Sequence, residues 1–223
     1  ISIRDLMLSL RQDASRDVNE KSPKEWKLGG VEWHQRMSFS NVMMRKPKEK
    51  HDVVFFPGCG LQAYSPELVK RVYGYLKEKI PGIGYYNACC GKPTHYLGKE
   101  NTFSRYYGKL TESFEKSGVV QVVTGCQNCF VTITTHSPHI EVRSLYDVLA
   151  TVAQPEEFSH KARQFPLEFT LHDPCPTRFE PAIHQGARGL LGKMGYTWRE
   201  MQNKEKRTLC CGAGAMVAQA VPE

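Results

Sequence analysis

The eight cysteines of this chain fall in a spacing that constrains its fold more than any other feature. Cys59 is followed 30 positions later by the doublet Cys89-Cys90, and Cys175 is followed 35 positions later by the doublet Cys210-Cys211. Each doublet is followed by glycine, and the pair Cys126 and Cys129, in CxxC spacing, lies between the two sets. The flanks repeat too. VVFFPGC leads to Cys59 and FTLHDPC to Cys175, and a helix-like segment follows each, SPELVKRVYGYLKEK from Ser65 and PAIHQGARGLLGKMG from Pro181. The offset between copies is 116 residues at the lone cysteine and 121 at the doublet, which reads as an internal duplication with a small insertion. Whatever the fold, it has to gather thiols from loops that are far apart in the chain.

Strand and helix signals alternate around these cysteines. Asp52 to Phe56 reads as a buried strand, Ser65-Pro66-Glu67 as a helix start, Glu100 to Lys116 as a helix, and Val119 to Thr124 as a β-branched run of the parallel type. Ser144 to Asp147 offers a capping-box-like start to a further helix. The alternation predicts an α/β protein with a parallel sheet. Cys59, Cys126 and Cys175 each fall just after a predicted strand, where open α/β sheets carry their ligands. Gly58, Gly60, Gly91, Gly125 and Gly212 stand next to cysteines, where the backbone could approach a bulky group and donate N–H bonds to its sulfurs.

The rest of the chain narrows the functional classes. A hydrophobic content of 40% and a charged content of 24% are ordinary for a globular protein, and the longest apolar runs, such as Val119 to Val123, are far too short to span a bilayer. With no signal-peptide arrangement at its start, the chain is expected to be cytoplasmic, where clustered thiols bind metal or do redox chemistry more often than they form disulfides. Of the formal charge of +7, +4 lies in residues 1–50, which hold 11 Lys and Arg against 7 Asp and Glu. This arm opens with ISIRDLMLSLRQ, whose Ile3, Leu6, Met7 and Leu10 share one helical face, and it closes with the RKPKEK run, read as a solvated linker rather than a nucleic-acid patch. The chain thus divides into a helical arm and linker (1–50), a first module with a complete motif (51–165), and a second with an incomplete one (166–223).

From the residues alone, three chemistries remain open for the first cysteine set. Four thiolates in tetrahedral array suit zinc, although a single ion has little use for a fifth thiol or for two adjacent ones. A polynuclear iron–sulfur cluster has several irons to ligate and takes five readily. Cys126-Gln-Asn-Cys129 by itself would also pass for a thioredoxin-like pair at a helix start. The second set leaves Cys175, Cys210 and Cys211 as partial ligands or as packed remnants.

Laid out as C-x29-CC-G-x34-C-x2-C over Cys59 to Cys129, the pattern resembles the cysteine-rich CCG domain of heterodisulfide reductase and its relatives, among them iron–sulfur subunits of glycolate, lactate and glycerol-3-phosphate oxidation. The resemblance covers about residues 51–223. It implies two Rossmann-like α/β modules and a [4Fe–4S] cluster, in some members a non-cubane one, held here by Cys59, Cys89, Cys90, Cys126 and Cys129. It implies electron exchange with a ferredoxin-type iron–sulfur protein or a flavoprotein, with either a disulfide-type substrate or a pure relay toward a quinone or ferredoxin partner. It also gives His172, in HDPC, a role in orienting the loop of Cys175, and it places Gly91 and Gly125 next to the ligands. Pro176 departs from the histidine common at that place, and the second CxxC is missing before Glu223, so the chain is expected to be part of a longer one. His95, His136 and His139, and Lys92 after the first CCG, are further candidates for contact with a cluster. Tyr85, Tyr86, Tyr106 and Tyr107 read as core packing.

Overall fold

Val53 to Phe56 form the strand on which the rest is assembled, and their burial shows why. Val54, Phe55 and Phe56 are all fully buried, so both faces of the strand are covered, as in a parallel sheet between helices. The computed structural model describes residues 3–17, 29–40, 42–47, 49–153 and 168–212. In chain order its elements are α1 (Ile3–Asp17), α2 (Gly29–Ser38), β1 (Val53–Phe56), α3 (Cys59–Tyr64), α4 (Pro66–Lys79), β2 (Gly84–Tyr85), α5 (Lys92–Tyr96), α6 (Glu100–Lys116), β3 (Gln121–Thr124), α7 (Gln127–His136), β4 (Glu141–Ser144), α8 (Leu145–Val152), β5 (Phe169–Leu171), α9 (Pro181–Lys193) and β6 (Trp198–Glu200).

The first four strands form one parallel sheet in the order β2-β1-β3-β4. Val54 pairs with Gly84 on one side and Val122 on the other, and Val122 pairs with Val142. Because side chains alternate along a strand, Val54, Phe56 and Val122 face one layer with Tyr86, Phe103, Leu110, Phe114 and Ile133, while Phe55 and Val123 face the other with Val69, Leu76, Leu145 and Val148. The predicted helix starts are seen in place. Ser65 accepts from Leu68 N–H at 3.4 Å and Ser144 from Tyr146 N–H at 3.3 Å. Asp147 does not close a capping box; its carboxylate pairs with Arg143 at 2.6 Å.

A second parallel pair, β5-β6, aligns Phe169 with Trp198 and Leu171 with Glu200. Strand, cysteine, helix, parallel strand and cysteine doublet thus occur in the same order in both parts of the chain. Arg188 of α9 ties the second unit together, donating to both Asp173 oxygens at 2.9 and 3.0 Å and to both Glu200 oxygens at 2.7 and 2.8 Å. The unit rests on the first through α9 against α8. There Gly186 lies so close that a Cβ would come 2.7 Å from the Asp147 Cα, and Lys193 donates to the Ala153 carbonyl at 3.3 Å.

The arm behaves differently from its periodicity. Leu6, Met7 and Leu10, the apolar stripe of α1, lie outward and exposed. The polar face docks instead: Arg11 donates to the Tyr96 carbonyl at 2.9 Å, Gln12 to Glu100 at 3.1 Å and Ser15 to the Leu97 carbonyl at 3.0 Å. The physical reason lies in the receiving surface, which is the end of α5. Helix ends present unpaired carbonyls, and these call for donors rather than methyl groups. Arg45, at the start of the run read as a linker, pairs with Asn87 through both backbone bonds. Lys48 lies outside the described residues.

Candidate metal centre

Each segment of the first motif leaves the carboxyl end of a strand. Cys59 follows β1 and opens α3, Cys89 and Cys90 follow β2, and Cys126 follows β3 with Cys129 one turn into α7. The chain runs from β1 outward to β2 and then returns to β3 on the other side, so β1 and β3 flank the point where strand order reverses. That is the crevice in which open α/β sheets bind their ligands.

The five thiols meet there. Cys59 Sγ lies 3.5 Å from Cys89 Sγ, and the contacts run on from Cys89 to Cys90, from Cys90 to Cys129 and from Cys129 to Cys126. Cys89, Cys90 and Cys129 are buried, while Cys59 and Cys126 are half-buried. Gly58 makes the approach feasible. Its φ of +80° is foreign to other residues, and a Cβ there would stand 3.0 Å from both the Cys129 Sγ and the Cys126 Cβ.

The CCG glycine has an equally specific use. Gly91 sits at φ +77° and turns its N–H back to the Cys89 Sγ at 3.4 Å. Gly212 repeats this turn in the second motif, with φ +77° and its N–H 3.4 Å from the Cys210 Sγ. Both doublets therefore carry the same local device, in which a left-handed glycine supplies a donor to the first thiol. Gly125 is packed differently, between Leu145 and Leu61, which leave only 3.3 and 3.4 Å for a Cβ.

Hydrogen bonding sets the thiols apart from one another. Cys89 is held well below the usual thiol range, first by the Cys59 and Cys90 thiols and then by the Gly91 N–H and Gln35, all against burial. Cys126 is lowered to about 6, first by the Cys129 thiol and then by the N–H groups of Cys129 and Asn128 in the opening turn of α7, again against burial. Cys59 is raised because it donates to Cys89, and burial adds to this. Cys129 is raised by donating to Cys126 and Cys90 and by its burial. At Cys90 the bond from Cys129 favours the thiolate, but the bond to Cys89 and complete burial outweigh it, and the group is raised.

Two residues that the cysteine pattern did not point to also touch this set. Gln35 of α2, 1% exposed, donates from Nε2 to the Cys89 Sγ at 3.5 Å. Tyr96 donates its hydroxyl to Asn128, inside the CxxC, at 3.2 Å, and its ring lies 4.9 Å beneath the buried Lys92 ammonium. His95 and His136 meet edge to face, centroids 5.6 Å apart, and each meets Phe103 in the same way. Burial and then the Lys92 charge lower the His136 pKa. His139 is exposed. Gln35 carries no sequence signal for a contact with sulfur, since a glutamine in a polar helix is unremarkable until the fold closes over it.

The second motif is more open. Cys175 is half-buried in a short 3-10 turn, Cys210 and Cys211 are exposed, and burial and then the neighbouring Cys210 raise the Cys175 pKa. His172 is exposed; the ties that shape this loop run through its neighbour Asp173, whose carboxylate also accepts from Glu205 N–H at 2.7 Å and whose carbonyl accepts from the Thr208 hydroxyl at 2.6 Å.

Among the described residues no three thiol, imidazole or carboxylate groups surround a single ion. The first set forms a chain of contacts instead, with five soft donors, a glycine cradle and N–H groups aimed at sulfur. A donor set of that kind fits a polynuclear iron–sulfur group, which is touched at several irons. The fold and this site define a parallel α/β protein with a polythiolate centre at its strand switch point. Residues 53–134 and 169–222 match the family model of the cysteine-rich domain, CCG, and the chain belongs to that family. It is also similar to the EtfAB:quinone oxidoreductase of Syntrophomonas wolfei subsp. wolfei, 23% identical over 146 residues, which is 64% of this chain and 19% of that protein. The chain thus spans about a fifth of the length of this relative. No helix among the described residues is long and apolar enough to cross a membrane.

Proposed function

We propose that this chain is the iron–sulfur subunit or segment of a larger oxidoreductase, in which Cys59, Cys89, Cys90, Cys126 and Cys129 hold a [4Fe–4S] centre that relays electrons between a flavoprotein-type partner and a quinone-linked one. The observation that carries this reading is the meeting of five thiols from three strand ends at one switch point. The family assignment and the name of the similar oxidoreductase support it. Such a group, when bound, takes up and gives out one electron at a time. The chain's own residues do the rest. Gly58 keeps the wall thin enough for the thiols to close, Gly91 and the first turn of α7 donate N–H bonds to sulfur, and the layer of Phe39, Phe103 and Tyr107 keeps water from the buried side. Net charge of +7 favours an acidic partner surface.

A second reading makes the same centre the site of disulfide reduction, as the heterodisulfide reductase resemblance implies. The observation in its favour is that Cys59 and Cys126 are half-buried rather than fully enclosed, which leaves part of the set within reach of a sulfur substrate. Cys175, Cys210 and Cys211, with the repeated glycine turn, would supply part of a second ligand set in either reading.

Anaerobic purification followed by assays for iron, acid-labile sulfide and the EPR spectrum tests the centre. We expect several irons and matching sulfide per chain, lost on Cys90→Ser; colourless protein with one zinc and no sulfide would falsify both readings. Supplying a reduced donor then separates them: reduction of the centre without turnover of any disulfide leaves the relay, and disulfide turnover abolished by Cys90→Ser selects the second.

A further inference from the structure

We infer that Gln35, in the arm that precedes the family domain, is a positioning residue that sets the reduction potential of the centre through its bond to the Cys89 sulfur. The inference rests on the iron–sulfur reading above. Gln35 lies outside the matched residues 53–134 and 169–222, yet it is 1% exposed and reaches into the thiol cluster. Its amide is fully committed. The Thr94 hydroxyl donates to Oε1 at 3.2 Å, and the Cys89 Sγ lies 3.5 Å from Nε2 and 3.8 Å from Oε1; bound as a thiolate, Cys89 can only accept, so it is Nε2 that faces it. One Nε2 hydrogen then points to His34 Nδ1 at 3.2 Å and the other to the Cys89 Sγ at 3.5 Å. The arm is anchored on both sides of this contact: Lys99 pairs with Glu32 one turn earlier on α2, and Phe39 stacks on Tyr106 at 4.6 Å just after it.

The consequence follows from charge. Reduction adds an electron to a centre whose negative charge is spread over its sulfurs, and each N–H aimed at a ligand sulfur stabilises the more negative state. Cys89 receives two such donors, the Gly91 N–H and the Gln35 amide. The first is backbone and belongs to the CCG turn. The second is a side chain of the arm, so the arm tunes the centre as well as covering it.

The test is an EPR-monitored redox titration of the whole protein carrying Gln35→Leu or Gln35→Glu. Leucine removes the donor and should lower the reduction equilibrium constant about tenfold, a shift of about 59 mV to more negative potential for a one-electron couple. Glutamate replaces the donor with a negative oxygen while keeping the shape and the acceptor for Thr94, and it should move the potential further in the same direction. A merely structural role for Gln35 predicts no such ordering by charge. Potentials equal to wild type in both variants, or raised in either, overturn the inference while the iron–sulfur reading stands. Wild-type protein without iron and sulfide overturns both. Should Gln35→Leu fail to fold, the isosteric Gln35→Glu carries the test alone.

Discussion

At the scale of single residues, the CCG signature acquires a mechanical meaning. The third position favours glycine because it sits at φ +77° in both copies, a conformation other residues rarely adopt, while its N–H lies 3.4 Å from the first thiol. Gly58 is under a tighter demand, since its positive φ combines with approaches of 3.0 Å to the Cys129 sulfur and the Cys126 Cβ. Gly58→Ala is therefore expected to cost about 1–3 kcal/mol in denaturant unfolding and to reduce the iron bound per chain, with the cost present even in metal-free protein. An unchanged midpoint and unchanged iron would show that the cradle yields. The cysteines were legible in the sequence because they recur at fixed spacings beside strand ends. Gln35, Asp173 and Tyr96 were not, because each acts through a contact that exists only once distant segments meet.

At the scale of elements, α1 shows how periodicity misleads. Its apolar residues share one face, yet the surface it meets offers the carbonyls of Tyr96 and Leu97 and the Glu100 carboxylate, and Arg11, Ser15 and Gln12 dock there. The closest approach is at Gly98, φ +76°, where a Cβ would stand 2.4 Å from the Arg11 carbonyl carbon. Gly98→Ala should release α1, with limited proteolysis cutting within the arm while hydrogen exchange in β1 and β3 stays slow. The second unit hangs on the Arg188 clamp. Arg188 bonds lower Glu200 from 4.5 to about 2; at Asp173 burial pulls upward, but Arg188 and the Glu205 N–H hold it below its ordinary value. Carboxylates lowered in the folded state stabilise it above their unfolded values and lose that contribution as pH falls through the folded ones. Hydrogen exchange in α9 should accordingly accelerate, relative to α6, between about pH 4.5 and about pH 2. Equal behaviour of the two helices across that window would remove the clamp from the account.

At the scale of the whole molecule, a four-stranded parallel sheet carries the thiol centre, a two-stranded parallel unit repeats its order of elements, and α8 against α9 joins them. The α/β class and the parallel pairing were readable from alternating patterns, because continuous β-branched runs bury both faces. The seam between the units was not, since small residues such as Gly186 leave no apolar signal. Gly186→Val should force α9 off the Asp147 backbone and lower the cooperativity of unfolding, seen as a broadened or split denaturant transition. A single sharp transition at the wild-type midpoint would contradict this. The gathering of ligands at the strand switch point bears also on how the protein is born. On the ribosome and during collapse, any short stretch of chain exposes two of the five thiols at most, either the doublet or the CxxC. The full set comes into being only when β1, β2 and β3 lie side by side. Under the iron–sulfur reading, loading would be a late event that reads out correct strand order, since before it no contiguous segment offers more than two of these thiols.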